Sequence, residues 1–268
     1  MSGTLFLIPV PLGEASPPAA VLAPDTLSQL QRLKTFVVEH EKTARHFLKA
    51  AGHPVPLQQI RLLALNEHTQ QQDVAALLQP LLDGEDVGLM SEAGCPGVAD
   101  PGAALVALAH QRGIAVRPMV GPSSLLLALM ASGLNGQSFA FSGYLPVDAT
   151  SREQKIRQLE QRSGAGNETQ LLIETPYRNA QLLAALLQAC RPDTRLTVAT
   201  DVSLPGESIV TRTVEQWRSS PVPDFDKRPT VFLFLATTAR TASGHHGKAD
   251  NRVKPNHFGG SGRPRRKP

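Results

Sequence analysis

The chain has few of the residues that define disulfide-rich, metal-binding or membrane proteins. Among its 268 residues are two cysteines, one tryptophan and two tyrosines. Two cysteines cannot form a disulfide framework or a thiolate metal site, so no bound metal is predicted. The apolar runs, such as Leu125 to Met130, are far shorter than the roughly 20 residues that span a bilayer. With no basic region ahead of the first apolar residues, we expect a cytoplasmic protein without membrane contact.

Positive charge is concentrated at one end of the chain. Residues 241–268, called the tail below, hold seven lysines and arginines and one aspartate, a net charge of +6. Residues 1–240 hold 20 basic and 22 acidic residues. The tail contains almost no apolar side chains and is predicted to be disordered. It is expected to add nonspecific affinity for phosphate groups.

Two turns rich in glycine, proline and serine are the most informative segments. Residues 88–102 and 121–124 each follow a short apolar run and precede an apolar run of helical period. Their glycines allow a close approach of the backbone to a ligand, and their prolines stiffen the turns. Because ligands of parallel sheets bind beyond the carboxyl ends of the strands, the two turns predict one shared crevice. Cys95 lies in the first turn, either as a reactive thiol or, as the sequence favours, as a small residue that fits the turn.

The order of strands and helices predicts an α/β fold. Strand and helix patterns alternate over the first 130 residues, which indicates a mainly parallel sheet covered on both faces. A charged helical stretch at 147–168 marks a boundary, after which the scheme is expected to repeat. We therefore predict an N-terminal α/β domain at 1–145, a C-terminal α/β domain at 146–240 and the disordered tail at 241–268.

Several motifs occur in a fixed order between about Leu5 and Ala236. They are Val10-Pro-Leu-Gly-Glu14, Glu41-Lys-Thr-Ala-Arg45, Ser91-Glu-Ala-Gly-Cys-Pro96 with Val98-Ala-Asp-Pro-Gly102, Val120-Gly-Pro-Ser123, Tyr144-Leu-Pro146 and Glu174-Thr-Pro-Tyr-Arg178. Through these motifs the chain resembles the tetrapyrrole (corrin/porphyrin) methylase superfamily. Within it, the chain is most similar to the branch of the ribosomal RNA small subunit methyltransferases I, which 2′-O-methylate a cytidine of 16S rRNA.

The resemblance implies a fold, a cofactor and partners. It implies two α/β domains of the tetrapyrrole methylase type, with S-adenosylmethionine bound in a cleft between them. It also implies a homodimer that acts on ribosomal RNA or the small ribosomal subunit. The family positions that contact the cofactor, mostly through backbone atoms, correspond to Leu12, Glu92, Cys95, Ser123, Ser124, Glu174 and Thr230.

The resemblance also suggests where the chemistry takes place. The family's polar site-forming loops correspond to segments that contain Glu39, Glu41, Lys42, Arg45, Asn66, Glu67 and His68. We predict that Glu67 or His68 accepts the proton of a ribose hydroxyl. Arg45 and Arg178 are predicted to anchor the substrate or the site itself. The alternatives are that His68 is an ordinary surface or capping residue and that Arg178 forms a salt bridge with Glu174.

Departures from the family pattern leave the substrate open. The family's Asn, Asp and Thr are replaced by Glu14, Glu92 and Cys95, and the acidic pair before Thr-Arg is rearranged. These changes lie in ligand-facing loops, whereas the strand and helix patterns are intact. The leading hypothesis is an S-adenosylmethionine-dependent methyltransferase that acts on RNA. The alternatives are a methyltransferase for a tetrapyrrole or another small molecule, and a paralogue that binds cofactor or RNA without catalysis.

Overall fold

The computed structural model describes residues 2–66, 69–225 and 227–237, whose strands form two five-stranded sheets. The predicted disorder of the tail concerns residues outside these ranges. The strands are β1 (Thr4–Leu7), β2 (Thr35–Val38), β3 (Arg61–Ala64), β4 (Val87–Met90), β5 (Ala115–Pro118), β6 (Phe139–Phe141), β7 (Thr169–Ile173), β8 (Arg195–Thr200), β9 (Ser208–Thr213) and β10 (Thr230–Leu235).

Helices connect most of these strands and cover the sheets. They are α1 (Pro18–Val21), α2 (Pro24–Arg32), α3 (Glu41–Ala50), α4 (Gln71–Val74), α5 (Gln79–Leu82), α6 (Gly102–Gln111), α7 (Ser124–Ser132), α8 (Ala149–Gly166), α9 (Asn179–Ala189) and α10 (Val214–Arg218). Short 3₁₀ turns lie at Leu57–Gln59, Ala75–Leu78 and Pro176–Arg178. No helix in the described ranges is long and apolar enough to cross a bilayer.

The first sheet is parallel, as predicted, with the order β3-β2-β4-β1-β5. Its central strands β2 and β4 are buried along their whole length, which explains their nearly continuous apolar sequence. The carboxyl ends of all five strands lie at the same edge. The connections that leave the neighbouring strands β1 and β4 run in opposite directions, to β2 and to β5. Such a point is where an open parallel sheet forms a crevice for a ligand.

The second sheet departs from the predicted repeat of the parallel scheme. Its order is β6-β7-β10-β8-β9, and only β6 and β7 are parallel. The other neighbours are antiparallel. The prediction of a repeated scheme is wrong here because β8 and β9 are joined by a short loop at 201–207. A parallel pair needs a longer crossover, usually through a helix.

The two sheets pack within one compact unit that covers residues 1–238. Strand β6 and helix α7 precede the predicted boundary at 145/146, yet both contribute to the second half of the fold. Strand β6 pairs with β7, and Ala128 and Leu129 of α7 belong to an apolar cluster with Leu171 and Leu233. The division into domains at 1–145 and 146–240 stays a prediction.

Two local details were not predicted from the sequence. Strand β3 forms an edge of the first sheet with only its central leucines half-buried, so its apolar signal is weak. The helical stretch at 71–82 is divided into α4, a 3₁₀ turn and α5. Pro80 lies at the start of α5, where it cannot donate the hydrogen bond that would continue a preceding helix.

Candidate functional site

A cleft with a volume of about 400 Å³ lies where the turns of the first sheet meet the second sheet. One wall comes from the residues that follow β1, β2, β4 and β5 at their carboxyl ends. The other wall comes from β7, β8 and β10 and the segments beside them. The structure therefore contains the shared crevice that the two turns predicted.

The seven residues expected to contact the cofactor all line this cleft. They come from positions as far apart as 218 residues in the chain and are Leu12, Glu92, Cys95, Ser123, Ser124, Glu174 and Thr230. The fold thus brings together the positions that the resemblance implied. Their contact with the cofactor stays a prediction, because their presence in one cleft does not show which of them a ligand touches.

Backbone and side-chain hydrogen bonds fix the central turn. Gly94 forms a two-way bridge with Val10, with N···O distances of 2.9 and 3.1 Å. Its φ of +73° lies in the left-handed region that favours glycine. The Cys95 thiol donates to the carbonyl of Pro122 at 3.4 Å, which links the two turns. Burial raises the pKa of Cys95, so the thiol is neutral and the structure favours a packing role for it over a reactive one.

Glu174 is a buried carboxylate whose two oxygens are both engaged. Oε1 accepts the backbone N–H of Thr175 at 2.8 Å. Oε2 lies 2.7 Å from the Arg178 guanidinium, and the Glu174 side chain is 2% exposed. The alternative of a salt bridge between these two residues is confirmed. A molecule in the cleft would therefore meet Glu174 mainly through its backbone.

Asp100, which sequence reasoning did not single out, also lines the cleft. Its Oδ1 accepts the backbone N–H groups of Gly97 at 2.8 Å and of Gly102, the first residue of α6, at 2.7 Å. Burial raises the pKa of the Asp100 carboxyl, although both hydrogen bonds oppose the shift. Asp100 thus shapes the turn at a cost in desolvation of its charge.

We expect Asp100→Asn to make the protein more stable at neutral pH and Asp100→Ala to make it less stable. The raised folded-state pKa means that stability falls as pH increases through the unfolded and folded pKa values of this carboxyl. Asparagine keeps the acceptor oxygen without the buried charge, whereas alanine leaves two amides unpaired, at a cost of about 1–2 kcal/mol. Urea unfolding at pH 7.5 and pH 4 measures both effects. A stabilisation by Asp100→Asn that is larger at pH 4 than at pH 7.5 would contradict this explanation.

Glu39 follows directly after β2 and lines the same cleft. It is half-buried, and its Oε1 lies 3.4 Å from the backbone nitrogen of Glu92. Burial raises the pKa of Glu39, the charges of Asp100 and Glu92 add to the shift, and the Glu92 amide and His40 oppose it. Glu92 itself is exposed and lies 3.5 Å from Nδ1 of His40. The sequence signal for Glu39 is its position directly after a buried strand.

Arg45, predicted as an anchor of the substrate or the site, is not among the described residues that line the cleft. Arg45 projects from α3, donates to the carbonyl of Leu57 at 2.7 Å and pairs with Glu41 at 3.2 Å. These contacts anchor α3 to the 3₁₀ turn before β3, so the structure gives Arg45 a structural role. Glu67 and His68 lie outside the described residues. A role for them in catalysis stays a prediction.

The cleft combines apolar walls with hydrogen-bonding groups. Leu12, Leu125, Ile173 and Val202 contribute apolar surface, and the serines at 123 and 124 contribute hydroxyls. This composition suits a small molecule with a flat apolar part and a polar, charged part. The carboxylates at the rim favour a ligand that carries positive charge. In the described residues, no group of three or more His, Cys, Asp or Glu side chains is arranged to hold a metal ion.

Comparison with known proteins gives a consistent set of matches. A family model described as "Tetrapyrrole (Corrin/Porphyrin) Methylases" matches residues 19–217. The "Ribosomal RNA small subunit methyltransferase I" of Pseudomonas aeruginosa is 29% identical, over 78% of this chain and 69% of that protein. The protein of the same name from Mesorhizobium japonicum is 32% identical, over 78% of this chain and 67% of that protein.

A solved structure shares the fold over nearly its whole length. It is the uroporphyrin-III C-methyl transferase of Thermus thermophilus complexed with S-adenosylhomocysteine. The TM-score is 0.54 with 17% sequence identity, and the match covers 87% of this chain and 97% of that one. The predicted α/β fold of this type is therefore confirmed.

Proposed function

The chain belongs to the tetrapyrrole (corrin/porphyrin) methylase family, and from this premise we propose that it methylates a ribose 2′-hydroxyl of ribosomal RNA in the small subunit. It is an S-adenosylmethionine-dependent methyltransferase. The observation that carries the RNA proposal is the similarity, over 78% of the chain, to two proteins named as ribosomal RNA small subunit methyltransferases. We place the protein in the cytoplasm, where such a substrate would be met.

The cleft residues fit the cofactor. The apolar side chains of Leu12, Ile173 and Val202 would flank an adenine, and the carboxylate of Glu92 would complement the positive charge of the cofactor. S-adenosylmethionine supplies an electrophilic methyl group on a sulfonium. Methyl transfer is an in-line displacement, so the work of the protein is to align the acceptor and to limit access of water.

Basic side chains beside the cleft support a polyanionic acceptor. Helix α3 begins two residues after Glu39, and its exposed Lys42, His46 and Lys49 are spaced by four and three residues. Residues with this spacing share one face of a helix. This face would contact phosphates near the cleft, and the tail would add affinity for phosphates. There are two alternatives: the acceptor is a tetrapyrrole or another small molecule, or the protein binds its ligands without catalysis. The following experiment separates them.

Calorimetry and methyl transfer test the proposal on the full chain. We expect micromolar binding of S-adenosylmethionine and S-adenosylhomocysteine, weakened by Glu92→Ala and Ser123→Ala but not by Glu215→Ala on α10. We then expect transfer of labelled methyl groups to unmodified 30S subunits, with the label found on a ribose after digestion to nucleosides. Cofactor binding without transfer to 30S subunits would contradict the RNA proposal. Transfer to a tetrapyrrole instead would favour the first alternative.

Deletion of the tail is expected to weaken RNA binding and leave cofactor binding unchanged. The tail holds seven of the chain's basic residues, and RNA binding becomes less sensitive to salt as fewer phosphates are neutralised by basic side chains. Affinity for 16S rRNA fragments should be measured at several salt concentrations for the full chain and the chain without residues 241–268. An unchanged salt dependence would mean that RNA contacts another surface. The double variant Lys42→Ala, Lys49→Ala then tests the exposed face of α3.

We also propose that the protein is a homodimer. Large apolar side chains are exposed along residues 120–147, among them Val120 at 73%, Met130 at 78% and Val147 at 72%. Leu126 and Met130 lie one helical turn apart on α7. Exposed apolar side chains concentrated in one segment are typical of an interface between proteins.

Sedimentation tests the dimer. Met130→Glu is expected to give a monomer, because the added charge would be buried between the copies. Val222→Glu, at a position that is 66% exposed outside this segment, is the matched control. A monomeric wild-type protein at micromolar concentration would contradict the proposed dimer.

A further inference from the structure

The described residues place four carboxylates in the cleft, and these differ in how firmly neighbouring groups hold them. Both oxygens of Glu174 are engaged, and Asp100 accepts two backbone amides. Glu92 is exposed and lies beside His40. Glu39 is half-buried, and within the described part of the chain its one hydrogen bond is long, 3.4 Å from Oε1 to the backbone nitrogen of Glu92. One of its oxygens therefore remains available to a molecule in the cleft.

The position of Glu39 suits an acceptor of a proton. It follows directly after β2, the neighbour of β4, and lines the cleft together with Glu92, Cys95 and Asp100 of the turn after β4. Its side chain is half-buried. Burial and the neighbouring charges raise its pKa, which makes its carboxylate a stronger base than an exposed glutamate.

We propose that Glu39 is the catalytic base for the ribose hydroxyl, an inference that rests on the proposed function. The hydroxyl oxygen forms a bond to the methyl carbon as the bond between that carbon and sulfur breaks. The bonding electron pair stays on sulfur, which becomes a neutral thioether. The hydroxyl proton passes to the free oxygen of Glu39. The methylated ribose oxygen is therefore never left with an unstabilised positive charge.

Steady-state kinetics of the full chain with 30S subunits tests this role. Glu39→Gln is expected to lower kcat at least 100-fold, with the KM for 30S subunits and the Kd for S-adenosylmethionine changed less than threefold. Glu39→Asp should retain part of the activity, because it keeps a carboxylate. Glu215→Gln, on the distant α10, is the control for a lost surface carboxylate.

The pH profile separates a base from a structural residue. Wild-type kcat/KM should rise with pH as Glu39 loses its proton and then level off, and this limb should disappear in Glu39→Gln. Among the described residues, the ionisable groups whose charges act on Glu39 are Asp100, Glu92 and His40. If the rise of kcat/KM with pH is lost in His40→Ala but kept in Glu39→Gln, the rise belongs to the histidine. That result would overturn the proposal.

Two further outcomes are distinguishable. If Glu39→Gln keeps kcat within threefold of wild type, or if Glu67→Gln or His68→Ala alone removes the proton-dependent limb, the base is another residue and the assignment of Glu39 is overturned. If wild-type protein binds cofactor but transfers no methyl group to 30S subunits, the proposed RNA function fails, and a ribose base is excluded with it.

Discussion

Gly121→Ala is expected to weaken S-adenosylmethionine binding more than tenfold and to lower kcat/KM about 100-fold, while the protein stays folded. A Cβ atom at Gly121 would lie 2.3 Å from Cβ of Pro9 and 3.1 Å from a methyl carbon of Leu22. The proline ring is fixed to the backbone after β1 and cannot rotate away. The two segments must separate, and the turn that carries Ser123 moves out of the cleft wall.

Calorimetry with S-adenosylhomocysteine and the methyl-transfer assay measure this effect. Gly136→Ala is the matched control, because a Cβ there meets no atom within 4 Å. Circular dichroism and the unfolding midpoint report whether the fold survives. Wild-type affinity in Gly121→Ala would show that the contact between the two loops relaxes without displacing the cofactor site.

Arg228→Ala is expected to reduce the free energy of unfolding by about 2–3 kcal/mol and to weaken cofactor binding as well. The guanidinium pairs with Asp201 at 2.7 Å and also donates to the carbonyls of Gly206 and Asp224. These contacts hold the loop at 201–207, where Asp201 has a φ of +50°. The side chains of Arg228 and Asp201 are 28% and 15% exposed, so solvent screens their attraction only partly.

The same loop closes the cleft on the side of the second sheet. Val202 and Leu204 line the cleft, and the carbonyl of Ser203 accepts the Ser16 hydroxyl at 2.9 Å. Release of the loop therefore removes a cofactor wall together with a link to the first sheet. Urea unfolding and calorimetry should show both losses in Arg228→Ala. An Arg157→Ala control, which breaks an exposed pair within α8, should change stability by less than about 0.5 kcal/mol.

Strand ends were the most reliable guide to the site. The glycine and proline turns after β4 and β5 carry information in the sequence itself, because few other residues permit such backbone geometry. They predicted the crevice, and the ordered motifs identified the family. Glu39 was recognised only as part of a polar segment, since a single acidic residue after a strand is common on protein surfaces.

Pairings between distant segments could not be predicted in the same way. The order of the second sheet depends on which strands meet, and local patterns of apolar residues do not specify a partner. The bond between Cys95 and Pro122 and the fit of Gly121 against Pro9 are likewise contacts between loops that the sequence does not place together. Arg45 shows the converse, because a motif suggested a site role and the structure attaches its side chain to Leu57.

The sequence by itself determined the α/β class, the parallel first sheet, the family and the segments that form the cleft, because periodicity and turn chemistry are local properties of the chain. Only the tertiary structure decided how firmly each carboxylate in the cleft is held by its neighbours. Glu174 and Asp100 accept short hydrogen bonds from groups that folding brings to them, whereas Glu39 is half-buried with a raised pKa and one long hydrogen bond. Burial and electrostatic environment depend on all the elements packed around a group, and they are set when the chain folds.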